Sequence, residues 1–259
     1  MTSYAEKAKI LVDALPYIKR LNSKTIVIKY GGSALTDPVI KDTIINNIAL
    51  MKLVGMKPVL VHGGGPEINT MLGRLDVKSE FIGGLRITSN EAMEIVEMVL
   101  SGKVNKSIVS DIETKGVRAI GISGKDGGTI KARKLIKNGV DYGQVGEVDC
   151  IDTSLICSLI NNDFIPVIAP VGQDDAGNTY NINADYVIDD PELAQRGAVT
   201  APAQQGLRRR AHGPPAEYVQ IVVRPEVRPP STRLSTFREL CRRSSGALRI
   251  FSYRLLCLS

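Results

Sequence analysis

Lys29 closes a short β-branched run, Thr25-Ile26-Val27-Ile28, and stands two residues before the glycine pair Gly31-Gly32. An ammonium among apolar neighbours is costly to bury without a partner. It therefore either snorkels at a strand edge or meets an anion, and the adjacent glycine loop favours the anion. Phosphoryl transfer needs little covalent help; it needs positive charge and amide donors where the transferred group spreads its negative charge. A second loop, Gly63-Gly64-Gly65, follows the apolar run Pro58-Val59-Leu60-Val61-His62 and leads into Pro66. A proline there suits the first turn of a helix, whose N-terminus attracts anions. Either loop alone reads first as a tight turn; two after two buried strands favour a phosphate site built on Gly31, Gly32 and Gly63.

Three further features carry chemistry. Arg86 follows Phe81-Ile82-Gly83-Gly84-Leu85. A guanidinium on a glycine-bearing segment is suited to a bidentate grip on a carboxylate, and a plain surface arginine is the alternative. Asn181-Ile182-Asn183-Ala184-Asp185 alternates polar groups, which places amide and carboxylate together at a cleft or else forms an Asx turn. His62 is one of two histidines; a lone histidine reads as a structural hydrogen-bonding residue rather than a base.

The elements that must position these residues alternate. Helical spacing over 5–21, interrupted by Pro16, predicts a kinked helix or two short ones. Strand 25–30, helix 41–54, strand 58–62 and helix 67–75 follow. Asn90 is placed to cap a helix from Glu91 whose stripe Met93, Val96, Leu100, Val104, Ile108 and Ile112 is apolar. A strand over 118–123 precedes a polar segment, 125–146, of short hairpin character. Helix 154–161 and strand 165–171 complete the pattern. Strand–helix alternation predicts an α/β fold: a three-layer α/β/α sandwich with a mainly parallel open sheet. Loops then gather at the carboxyl ends of the strands, where such sheets bind ligands.

Composition sets the limits. Among 259 residues, 43% are hydrophobic and 23% charged, which excludes a mainly disordered chain. No apolar run is long enough for a spanning helix, and the first residues lack the apolar core of a secretory signal, so the cytoplasm is the expected compartment. Four cysteines without a C-x-x-C and only two histidines speak against a protein-ligated metal. The net charge of +6 invites a nucleic-acid reading, but its distribution does not. Residues 1–186 hold 21 basic and 21 acidic residues, whereas 187–259 hold 12 arginines, no lysine and 6 acids. That tail is broken by seven prolines from Pro191 to Pro230 and offers at most an isolated strand at 218–223 and a weak helix at 236–243. Scattered arginines support only salt-sensitive, nonspecific contact with nucleic acid.

In order and approximate spacing, Lys29-Tyr30-Gly31-Gly32, His62-Gly63-Gly64-Gly65-Pro66, Phe81-Ile82-Gly83-Gly84-Leu85-Arg86-Ile87-Thr88 and Asn181-Ile182-Asn183-Ala184-Asp185 resemble the amino-acid kinase family, and within it the acetylglutamate kinase branch of arginine biosynthesis. The resemblance covers about residues 5–186. It implies an N-terminal lobe for the acyl-amino acid and a C-terminal lobe for ATP, with magnesium arriving as part of the co-substrate. It further implies that Lys29 stabilises the transferring phosphoryl group and that Gly64, Gly65, Arg86 and Asn181 bind N-acetyl-L-glutamate. Asp185 would order the catalytic lysines. The product would be an acyl phosphate. An N-terminal helix like 5–21 resembles that of hexameric, arginine-inhibited members and implies a homo-oligomer contact. The departure lies beyond Asp185, where the family's nucleotide loop and second catalytic lysine have no counterpart. Residues 187–259 therefore read as disordered or as a frameshifted or fused segment, the ATP lobe as incomplete, and the activity as doubtful. The alternatives are a kinase for another amino acid or carbamate, and a non-catalytic fragment that binds acetylglutamate or docks into a hexamer.

Overall fold

The computed structural model describes residues 3–31, 35, 37–82, 85–137 and 139–184, together with the backbone of 218–222. Helix α1 (Tyr4–Leu21) opens with a capping box: the Ser3 hydroxyl accepts from Glu6 N at 3.2 Å and the Glu6 carboxylate accepts from Ser3 N at 2.7 Å. It continues through Pro16 as one element rather than two, and none of its residues is buried. The carbonyl that Pro16 cannot serve belongs to Val12, whose side chain is exposed.

Strand β1 (Thr25–Tyr30) lies parallel to β2 (Lys57–His62), with Tyr30 level with His62. Between them runs α2 (Pro38–Leu53), capped by the Asp37 carboxylate on Val39 N and Ile40 N. Helix α3 (Gly65–Arg74) leaves the triple glycine directly. A small antiparallel pair, β3 (Glu80–Ile82) and β4 (Leu85–Ile87), precedes α4 (Asn90–Glu97). The cap of α4 is Ser89, whose hydroxyl accepts from Ala92 N at 3.1 Å. Asn90, the expected cap, instead accepts from Gln144 Nε2; both residue types cap well, and the extended backbone at 89 decides between them.

The long apolar stripe that follows is not one regular helix. A π-helical stretch, Met98–Val104, joins α4 to α5 (Asn105–Glu113). Next come β5 (Ala119–Ser123), β6 (Ile130–Lys137), β7 (Val140–Ile151), α6 (Ser154–Asn161), β8 (Ile165–Ala169), β9 (Val171–Gln173) and β10 (Thr179–Ile182). The main sheet is entirely parallel, in the order β11-β1-β2-β8-β5, where β11 (Tyr218–Val222) pairs with the outer edge of β1. The strand expected at 218–223 is thus present but not isolated. The expected helix at 236–243 lies outside the described residues.

Strand alternation divides the core between two faces. Leu60, Ile165 and Val167 face the layer of α2, α3, α4 and α5, where Ile45, Ile48, Leu72, Val96, Leu100, Ile108 and Ile112 pack. Val59, Val61 and Ile168 face the other way, onto Ile160 of α6 and onto Ile130, Tyr180 and Ile182. The last three belong to a closed barrel, β10-β7-β6-β9. Residues 125–146, expected as short hairpin material, supply much of this barrel.

Candidate functional site

The two glycine loops meet. Gly63 N donates to Tyr30 O at 2.8 Å, so the second loop is hydrogen-bonded to the end of the first strand. A Cβ placed on Gly31 would lie 3.5 Å from Gly63 N and 3.8 Å from Cε of Lys29. The half-buried Lys29 side chain therefore rises along the seam where Gly31 and Gly63 abut. Among the described residues, no acceptor faces the N–H groups of Gly64 and Gly65, which begin α3 with the unpaired donors that helix N-termini present to anions. Burial, then the negative charges of Asp111 and Glu67, push the Tyr30 phenol above its ordinary range; it stays a neutral wall of the site.

His62 is completely buried. Burial first holds its pKa down, to about 4, with the Lys106 ammonium a smaller contribution in the same direction. It is therefore neutral at pH 7 and unsuited to act as a base, as its solitary position in the sequence suggested.

Arg86, on β4, is 7% exposed. It donates to the Ser79 hydroxyl and to Asn69 Oδ1, and its guanidinium lies 4.6 Å from the centre of the Phe81 ring. Asn69 belongs to α3, so Arg86 is tied to the helix that starts at the triple glycine. No ion pair among the described residues involves Arg86. This is a buried, aromatic-backed guanidinium rather than the surface arginine that was the alternative.

Strand β7 brings the other elements together. Thr88, just past β4, bridges to Gly143 of β7, with Thr88 N donating to Tyr142 O at 3.0 Å and Gln144 N to Thr88 O at 2.7 Å. Asn181 of β10 pairs with Val145 of the same strand. Thr88 and Asn181 thus meet β7 at points two residues apart, and Arg86 lies two residues before Thr88. Gly32 and Asp185 lie outside the described residues.

Two residues of this region gave no sequence signal. Lys125, after β5, donates to Glu97 of α4 at 2.8 Å and to Thr179 at 3.1 Å. Thr179 shares a strand face with Asn181. Asn105 is fully buried against His62. Its only trace in the sequence is an asparagine on an otherwise apolar stripe.

The profile of the amino acid kinase family matches residues 24–188. The chain belongs to the amino acid kinase family. Curated acetylglutamate kinases are similar: that of Aromatoleum aromaticum is 56% identical over 191 residues, covering 71% of this chain and 64% of the relative. That of Methylobacillus flagellatus is 56% identical over 193 residues, covering 72% and 66%. The chain thus spans just under two thirds of the length of these relatives. Among solved structures, a protein of Streptococcus mutans UA159 is 32% identical with a TM-score of 0.57, covering 63% of this chain and 65% of that one. An N-acetylglutamate synthase of Neisseria gonorrhoeae, 19% identical, shares the fold with a TM-score of 0.61 over 75% of this chain and 42% of its own. The expected α/β fold with a parallel sheet agrees with these relatives.

Proposed function

We propose that the chain carries the acyl-amino-acid half of a kinase that uses MgATP to phosphorylate the side-chain carboxylate of N-acetyl-L-glutamate. The observation that carries this reading is the seam itself: Lys29, Gly31 and Gly63 meet beneath the open N-terminus of α3, and Arg86 is bonded to that same helix. In this reading Arg86 and Asn181 hold the substrate's backbone carboxylate and acetyl end, while its side-chain carboxylate points to the seam. One carboxylate oxygen attacks the γ-phosphorus of ATP, the bond to the β,γ-bridging oxygen breaks, and ADP leaves with magnesium. No proton moves. Lys29 and the amides of Gly31 and Gly32 stabilise charge on the equatorial phosphoryl oxygens; the Gly63 N–H is spent on Tyr30 O, and the amides of Gly64 and Gly65 hold the substrate. Asp185 is assigned to orient Lys29.

The resemblance implies a second lysine in the nucleotide lobe, yet the chain has none after Lys137. Losing one such donor typically costs on the order of 10²–10³ in rate. We therefore expect binding of N-acetyl-L-glutamate with weak turnover, and the composition break near residue 186 as the limit of the kinase-like unit. A fragment that only binds the substrate, or docks into complete subunits, is the second reading; exposed Ile10, Leu11, Val12 and Leu15 on α1 favour a contact with further copies. Hydroxylamine trapping of the acyl phosphate, beside calorimetry with N-acetyl-L-glutamate, tests both. Lys29-dependent hydroxamate supports the kinase, and binding without hydroxamate supports the fragment. Absence of binding refutes the substrate assignment.

A further inference from the structure

Asn105 sits at the junction of the π-helical stretch and α5, with no exposed surface. Its amide nitrogen lies 2.9 Å from Val167 O on β8, 3.3 Å from Ile122 O on β5 and 3.2 Å from His62 Nε2 on β2. Its oxygen accepts from the Lys106 ammonium at 3.2 Å, and that ammonium also reaches Gly121 O at 2.8 Å. Two carbonyls on one side and an ammonium on the other leave one orientation of the amide, with nitrogen toward His62. The amide nitrogen has two protons for three neighbours and accepts none, so a proton on Nε2 of His62 would find no acceptor there. The ring proton is therefore on Nδ1, which donates to Gly63 O at 2.8 Å.

That hydrogen bond has a consequence for the loop. A trans peptide is planar, with its C=O and N–H pointing opposite ways. Holding Gly63 O toward the core turns the N–H of Gly64 outward. The other side of the loop is fixed as well, because a Cβ on Gly64 would lie 2.6 Å from Leu100 Cδ2 and 3.4 Å from Val104 Cγ2 in the π-helical stretch. Gly121 makes room for the network: a Cβ there would fall 1.7 Å from Asn105 Oδ1.

We propose that Asn105 is a positioning residue for the anion loop: by fixing the tautomer of His62 it fixes the Gly63–Gly64 peptide and aims the Gly64 amide at the ligand. The ligand's identity rests on the function proposed above; the placement of the amide does not.

The test uses the full chain with His212→Gln, so that His62 is the only imidazole. Nitrogen NMR of the ligand-free protein at pH 7 should find a neutral ring protonated on Nδ1; protonation on Nε2 overturns the proposal without any variant. Asn105→Asp keeps shape and removes the donor, so Nε2 becomes the protonated nitrogen and the Gly64 amide resonance moves. Asn105→Leu frees the ring and moves the same resonance. An unchanged Gly64 resonance in both folded variants refutes the coupling; if neither folds, the wild-type tautomer decides. Calorimetry with N-acetyl-L-glutamate should record affinity about tenfold to a hundredfold weaker in the variants, the scale of a misplaced contact. Unchanged affinity beside a shifted tautomer also refutes the proposal. A wild-type chain that binds no N-acetyl-L-glutamate overturns the substrate reading alone, because the Gly64 resonance still judges Asn105.

Discussion

Replacing Gly143 by alanine should loosen the strap that holds Arg86 in place. Gly143 has φ +70°, and a Cβ on it would lie 2.2 Å from Thr88 O and 3.0 Å from Thr88 C. Both obstacles are backbone, so no rotamer change relieves them. The left-handed conformation costs an L-residue roughly 1–2 kcal/mol. Restoring an ordinary contact needs a displacement of about 1 Å, which breaks the Thr88 N–Tyr142 O and Gln144 N–Thr88 O hydrogen bonds, each worth about 1 kcal/mol net. The expected loss is about 3–4 kcal/mol, or a fall in Tm of roughly 10 °C for a unit of this size. Gly128→Ala is the matched control: its φ is +66° but a Cβ there meets nothing within 4 Å, so only the conformational cost of roughly 1–2 kcal/mol applies. Urea titration of both variants measures the difference. Because Thr88 lies two residues beyond Arg86, calorimetry should also find weaker N-acetyl-L-glutamate binding in Gly143→Ala and not in Gly128→Ala. Equal stability loss in the two variants would refute the strap.

Four more outcomes are expected. Arg86→Lys cannot reproduce the two-pronged contact to Ser79 and Asn69 with stacking on Phe81, and calorimetry should find substrate affinity reduced by about tenfold or more. Lys29→Met should leave the melting curve close to wild type and lower hydroxamate formation on the order of 10²–10³-fold. His62, with a folded pKa of about 4 against an ordinary 6.5, stays neutral while the unfolded chain takes up a proton. Stability should therefore fall as pH drops from 6.5 to 4, by up to about 3 kcal/mol, and denaturant titrations across that window should show a shallower slope in His62→Gln. Gly65→Ala, where a Cβ meets nothing within 4 Å, should fold like wild type yet bind the substrate more weakly in calorimetry.

Local chemistry made much of this architecture legible. The β-branched runs ending in glycine marked β1 and β2, and parallel pairing then required their loops to meet. The stripe from Met93 to Ile112 marked a buried helical face, and all six of its residues are buried. What stayed hidden depends on partners far away in sequence. The π-helical stretch keeps the same apolar spacing as an α-helix over a few turns, so spacing alone does not reveal it. Asn105 gains its meaning only from strands β5 and β8, with Val167 62 residues away. The barrel was obscured because β7, 12 residues long, is shared among Thr88, β6 and β10. Its pairing is written in no single segment. Arg86 was legible only as a candidate for a carboxylate, and its burial depends on Phe81, Ser79 and Asn69 closing around it.

The glycines themselves separate packing from function. At Gly121 and Gly124 an added Cβ would fall within 1.7 and 2.6 Å of neighbouring atoms, and at Gly146 within 2.7 Å; the close-packed core demands glycine there whatever the protein does. Gly64 belongs with them, held by Leu100. Gly31, Gly63 and Gly65 do not. A Cβ would meet only ordinary contacts of 3.5 Å and beyond at Gly31 and of 3.7 Å at Gly63, and open space at Gly65, and none of the three has a left-handed φ. Neither packing nor backbone conformation in the empty protein explains glycine at these positions. They are, moreover, the positions that border the Lys29 seam and the unpaired donors of α3. A requirement that the folded chain alone does not impose must come from something that approaches the backbone closely, and the surrounding charge and amide donors call for that visitor to be an anion.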